Sequence, residues 1–191
     1  MKKTIYQKIL LLGKTVNLQI LFGLYIVMAG FIMPAAERDI KQYSGGNTVI
    51  DLHFSYTPEK AYELLDSYGP DGRKYYFFAE ATADTVYVLI YAMFFLSLLI
   101  WLYQNKIHRE ERLKIILALP VAALCFDFLE NICVLTLLTR FPERLDQVAS
   151  LSAVFTGGKW LFALLTLTAI VAGVIWSLVR IVRQYILARE A

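Results

Sequence analysis

Four apolar runs leave this chain little choice of architecture: residues 16–33, about 79–103, 115–138 and about 151–179. Each approaches or exceeds the ~20 residues an α-helix needs to cross a ~30 Å hydrocarbon layer. Inside that layer backbone polar groups find no water, so a chain satisfies them internally, most simply as helices. The sequence therefore predicts an all-α integral membrane protein: one four-transmembrane-helix bundle spanning residues 1–191. Its composition agrees, at 58% hydrophobic with a mean hydropathy of +0.54, against the ~45–50% usual for soluble domains. The second and fourth runs exceed the required length and are expected to tilt or protrude.

The first run shares features with a signal peptide, namely a basic lead and a following Pro34-Ala35-Ala36. Apolar cores of signal peptides are only about 7–15 residues long, so we read it as a retained span. Lys and Arg set the expected orientation. With the N-terminus inside, cytoplasmic segments hold eleven of them, including Lys2, Lys3, Lys8, Lys14, Lys106 and Arg109, and outer segments hold seven. Both termini are thus expected in the cytoplasm and the protein in the plasma (inner) membrane. Trp101, Tyr103, Trp176 and Tyr185 would then lie near the inner interface.

Residues 34–78 form the one sizeable polar stretch, read as a short α(+β) extracytoplasmic cap between helices 1 and 2. Ser44-Gly45-Gly46-Asn47 is a turn signal. Residues 48–54 alternate, with Ile50, Leu52 and Phe54 on one side, and predict a short strand. Thr57-Pro58 predicts a helix start, with Thr as N-cap and Pro at the first helical position. Ala61, Leu64, Leu65 and Tyr68 make a helical stripe that Gly69-Pro70 should end. Asp71 is expected to cap a further helix leading into the second span. The cap helix should lie across the bundle mouth, its tyrosines in the headgroup zone.

Several function classes find no support. The net charge of +3 is dispersed, with no basic patch carrying interleaved aromatics, so no nucleic-acid partner is expected. Cys125 and Cys133 stand eight residues apart, roughly 12 Å along a helix, beyond the ~7 Å a disulfide bridges. They are read as small buried residues. His53 and His108 belong to no ligand-spaced cluster, so no metal is expected. No phosphate-binding loop or nucleophile elbow points to a cofactor or a named reaction.

What remains is a set of costly groups where hydrocarbon should be. Asp127, Glu130 and Asn131 occupy one helical face of the third run at i, i+3 and i+4. Glu80 and Asp84 sit i, i+4 near the outer end of the second. Lys159 follows Gly157-Gly158 in the fourth. Counted at 1.5 Å per residue, Asn131, Glu130 and Asp127 lie roughly 13, 15 and 20 Å from the outer boundary, and Lys159 roughly 15–20 Å. Ionisable groups at such depth usually face a bundle interior and mark a site. Lys159 is the natural partner for Asp127 or Glu130, and the surplus of acid calls for a proton, water or a cation. Thr82, Thr85, Thr136, Thr139 and Thr156 are candidates to extend the network.

The favoured expectation is a buried polar site in the outer half of the bundle that binds or transforms a small amphipathic, lipid-like molecule. Asp127, Glu130 and Lys159 would be its reactive groups, and Asn131, Asp84 and Glu80 would bind ligand. One alternative is a non-catalytic membrane scaffold. Another is a proton- or cation-coupled transporter subunit, which four spans without repeats would build only as a homo-oligomer.

Overall fold

The computed structural model describes residues 15–104 and 110–190. Lys2, Lys3, Lys8, Lys14, Lys106 and Arg109, on which much of the expected orientation rests, lie outside the described residues, as does His108. All regular secondary structure among the described residues is helical. Helix α1 (Thr15–Val27) runs through a π-helical turn, Met28–Ile32, into α2 (Met33–Tyr43). A 3-10 turn at Ile50–Leu52 and the short α3 (Pro58–Ser67) follow. Helix α4 (Gly69–Ala79) continues through a second π turn, Glu80–Asp84, into α5 (Thr85–Tyr103). Helices α6 (Glu110–Arg140) and α7 (Asp146–Glu190) complete the order.

Four continuous helices, Asn17–Tyr43, Gly69–Tyr103, Glu110–Arg140 and Asp146–Arg189, are long and apolar enough to cross a membrane. Each contains one of the four apolar runs. In the middle two, 44% of the most apolar window is buried, against 6% in the first and 11% in the last. The middle pair therefore forms the centre and the outer pair its flanks. Helix α1 packs on α5, α5 on α6, and α6 along α7. Many exposed side chains of α7, such as Leu161, Leu164 and Val171, are aliphatic, as suits contact with lipid.

Gly158 and Gly173 set how closely α7 approaches α6 and α5. A Cβ on Gly158 would run into the Phe126 ring of α6, and one on Gly173 would stand 3.0 Å from the Tyr103 ring. Small residues at such crossings let helix backbones come together in membranes. Gly157 has nothing near it, so the close approach belongs to Gly158 alone.

The cap is helical, and the strand expected over residues 48–54 does not form: no strand occurs among the described residues. Ile50 is fully buried, but Leu52 and Phe54 are exposed. The alternation was therefore not that of a strand with one buried face; a single residue anchors a 3-10 turn. The expected turn does form, with Gly45 and Gly46 at φ +67° and +109°, values that favour glycine. The Ser44 hydroxyl donates to the Asn47 carbonyl at 2.7 Å. Helix α3 begins as predicted, the Thr57 hydroxyl accepting from the Lys60 amide at 3.3 Å. Its stripe of Ala61, Leu64, Leu65 and Tyr68 is buried against Val134, Leu137, Leu138 and Ala149 at the ends of α6 and α7.

The tyrosines of the cap helix pack inside the protein rather than on its surface. Tyr62 and Tyr68 are buried, their phenols donating to the carbonyls of Glu143 at 3.0 Å and Thr48 at 2.8 Å. Buried phenols find hydrogen-bond partners, and here these bonds tie the cap to the α6–α7 loop and to itself. Asp71 falls inside the first turn of α4 rather than at its cap position. Cys133 is buried, but Cys125 is exposed on α6, which corrects the expectation that both are interior. At the far end of the bundle the Tyr103 and Trp176 rings meet edge-on at 6.4 Å.

Candidate functional site

Helix α6 supplies the floor of the site. Its i, i+3, i+4 spacing turns Asp127, Glu130 and Asn131 to the bundle interior, and all three are buried, Glu130 completely. Lys159 comes from α7 directly after Gly158, whose missing side chain lets α7 approach α6. The Lys159 ammonium lies 3.3 Å from Asp127 Oδ1 and is paired with Glu130 Oε2. Both partners anticipated from the sequence are thus engaged at once.

The second π turn supplies the next wall. It carries Glu80 and Asp84, both buried. The Thr85 hydroxyl donates to the Glu80 carbonyl five residues back at 3.1 Å, within the wider turn. Such bulges are frequent at functional sites. The Asn131 amide donates to Asp84 Oδ2 at 2.6 Å, joining this turn to α6.

The structure also recruits residues that the sequence reading left out. Asp51, from the 3-10 turn of the cap, places Oδ2 3.7 Å from the Lys159 ammonium. Its other oxygen accepts from the Tyr76 phenol at 3.1 Å. The Tyr91 phenol donates to Asp127 Oδ2 at 2.7 Å, and the Thr156 hydroxyl to Glu130 Oε1 at 2.5 Å. Of the five threonines named from sequence only Thr156 joins the network. Thr82, Thr85, Thr136 and Thr139 donate to carbonyls of their own helices, the usual habit of helical threonine. Above the site, burial pushes the Tyr56 phenol up to about 12, against the pull of the Ser152 and Thr156 hydroxyls beside it. Its hydroxyl is buried with no hydrogen-bond partner. His53 pairs with Thr48 at 3.0 Å, outside the cluster.

A cavity of about 690 Å³ opens over this network, within the ~300–1,000 Å³ typical of small-molecule sites. Asp51, Glu80, Asp84, Asp127 and Lys159 line its polar end; Tyr25, Tyr87, Tyr91, Phe95, Trp160 and Leu164 line much of the rest. Glu130 and Asn131 stand behind this wall, so they act on the cavity only through Lys159 and Asp84. The peripheral helices α1 and α7 both contribute side wall, and Leu164 and Leu167 on the α7 side are exposed. Phe54 of the cap packs against Trp160, ring centroids 4.9 Å apart, at the cavity margin.

The first π turn borders the same cavity through Ala29, with Met33 and Pro34 just beyond it. Its cause is local. Pro34 has no N–H, and its ring clashes with the carbonyl four residues back, so the helix widens over Met28–Ile32 ahead of it.

Five carboxyl groups and one ammonium share the network. Carboxylates that gain a proton can donate as well as accept, so proton transfer among Asp84, Asp127 and a bound hydroxyl or amine is chemically available. No group of three or more His, Cys, Asp or Glu among the described residues is arranged to hold a metal ion. No protein-family model, curated protein or solved structure matches the chain.

Proposed function

We propose that this is an integral membrane protein that binds, and through its carboxyls is equipped to transform, a small amphipathic, lipid-like molecule. The observation carrying this reading is the two-sided character of the cavity. One end presents Asp51, Glu80, Asp84, Asp127 and the Lys159 ammonium, while the remainder, apart from Glu37, which pairs with Lys41, is mainly aromatic and aliphatic and borders the peripheral helices α1 and α7. A ligand with a polar head and an apolar tail satisfies both ends. A tail leaving between α1 and α7 would pass the exposed Leu164 and Leu167 into the bilayer. In this reading Asp127, Asp84, Glu80 and Lys159 meet the head, and Glu130 and Asn131 position Lys159 and Asp84.

The transporter reading is weaker. Toward the opposite end Leu99, Ile100, Leu102, Leu113 and Leu117 form a buried apolar layer that would interrupt a proton or cation path. The scaffold reading leaves the cavity without a use. We further propose that the cap faces outside the cytoplasm and that the termini lie within it, on the Lys and Arg bias.

Native mass spectrometry of the purified full chain tests the main reading. It should retain a lipid-like adduct that Asp127→Asn or Lys159→Met removes. Protein without any adduct, and unable to take one up from a lipid extract, would refute it. For sidedness, a membrane-impermeant maleimide should label Ser55→Cys in intact cells and leave Glu111→Cys unlabelled; the reverse pattern would overturn the orientation.

A further inference from the structure

We infer that the head of the bound amphiphile is positively charged, an alkylammonium seated by Glu80 and Asp84; this rests on the amphiphile-binding reading above. The argument comes from which polar atoms are already engaged. An ammonium has three N–H donors, and that of Lys159 faces three carboxylates, Asp51, Asp127 and Glu130. Its single positive charge already faces three acids, with Asp127 and Glu130 within hydrogen-bond reach and Asp51 at 3.7 Å, so an anionic head would bring a fourth anion to it. The remaining oxygens of those three acids are taken as well, by Tyr76, Tyr91 and Thr156.

Glu80 differs. It is only 3% exposed and lines the cavity, yet its Oε1 has no hydrogen-bond partner. Four residues on, Asp84 has one oxygen occupied by Asn131 and its other, Oδ1, in no hydrogen bond to another side chain. Both acids belong to the π turn, so their unused acceptors lie on one wall. A buried carboxylate left alone is costly, and an N–H-bearing cation is what two neighbouring acceptors best accommodate. The carboxyls are too dispersed for a metal ion, and the nearby walls carry Tyr25, Tyr87, Tyr91 and Trp160. Aromatic faces attract organic cations.

The test uses the full chain in dodecyl maltoside, whose head is uncharged, with tetradecylamine, tetradecanol and tetradecanoate as probes of equal tail length. Native mass spectrometry titrations give each affinity. The amine should bind about tenfold or more tighter than the alcohol, one charge-assisted hydrogen bond being enough for that ratio, and the carboxylate weakest. Glu80→Gln should erase the amine's advantage while leaving alcohol binding in place. Asp84→Asn is the second variant, and circular dichroism melts confirm that whichever is compared is folded. Equal binding of amine and alcohol overturns the charged-head inference but leaves the amphiphile reading standing. So does an amine preference that survives both substitutions. Binding of none of the three overturns both.

Discussion

Lys159 Nζ lies 3.3 Å from Asp127 Oδ1, a cation from one membrane helix held against an acid from the next. The same ammonium also pairs with Glu130 and faces Asp51, so removing it strands three carboxylates together. Breaking a buried pair from one side typically costs about 3–5 kcal/mol. Lys159→Met should therefore lower the melting midpoint sharply at neutral pH. The loss should shrink as pH falls. In the variant those acids stay buried only by holding protons that the unfolded chain would release, so its stability declines as pH rises. Melts of variant and parent at pH 5 and pH 8 check this. A deficit that is the same at both values, or larger at pH 5, would show that the ammonium is not what keeps these acids buried.

The two adjacent glycines make opposite predictions. A Cβ at position 158 meets the ring of Phe126, including its Cγ, while one at 157 meets nothing. Overpacking of this kind costs about 1–3 kcal/mol. In contrast, replacing glycine with alanine inside a helix where space allows gains about 0.5–1 kcal/mol. Gly158→Ala should be destabilised and Gly157→Ala should match or exceed the parent. Phe126→Leu should rescue Gly158→Ala. Because Gly158 sets how near α7 comes to α6, Gly158→Ala should also weaken ligand retention by pulling Lys159 from Asp127.

Much of this was legible in the sequence for one reason: hydrocarbon penalises exceptions. Four apolar runs in a bilayer have few solutions, and a long helix covers each. The same penalty singled out Asp127, Glu130, Asn131, Glu80, Asp84 and Lys159, which the fold gathers into one network and its adjoining cavity. Where water relaxes the penalty, legibility falls. Asp51 was missed because residues 48–54 read as a strand, which turned Asp51 away from Ile50 and toward solvent. In the 3-10 turn Ile50 is buried while Asp51 still reaches Lys159. Tyr76 and Tyr91 were missed because aromatics in membrane helices are common and nothing in their spacing distinguishes a phenol that meets a carboxylate. The π turn at Glu80–Asp84 has no proline to announce it, unlike the one before Pro34.

The cap is fixed to the bundle through Tyr62. Its hydroxyl donates to the Glu143 carbonyl at 3.0 Å and accepts from the Leu145 amide at 2.5 Å, with Arg144 over its ring at 4.9 Å. Net hydrogen-bond contributions are about 0.5–1.5 kcal/mol each, so Tyr62→Phe should cost about 1–3 kcal/mol while leaving the apolar packing intact. Hydrogen exchange should rise in α3 and the 140–146 loop and stay unchanged in α5. Uniform loosening across all helices would mean that the cap does not open as a separate unit.

Phe54 offers a test of the cavity that leaves its chemistry untouched. The side chain is 69% exposed and its ring packs on Trp160 at 4.9 Å, so it covers the cavity margin from the cap side. Only the ring contact depends on so exposed a residue, and Phe54→Ala should melt within about 1.5 kcal/mol of the parent. Ligand release is another matter. Aromatic pairs contribute about 0.5–1.5 kcal/mol, which corresponds to about a 2- to 12-fold faster off-rate if the pair breaks as the molecule leaves. Dissociation of tetradecylamine from parent and variant, followed by Trp fluorescence in stopped flow, reads that ratio directly. Phe54→Trp, which keeps an aromatic ring there, should restore slow release. An unchanged off-rate in Phe54→Ala would mean that the molecule leaves without crossing the Phe54–Trp160 contact. Departure sideways between α1 and α7 would then account for all of the release.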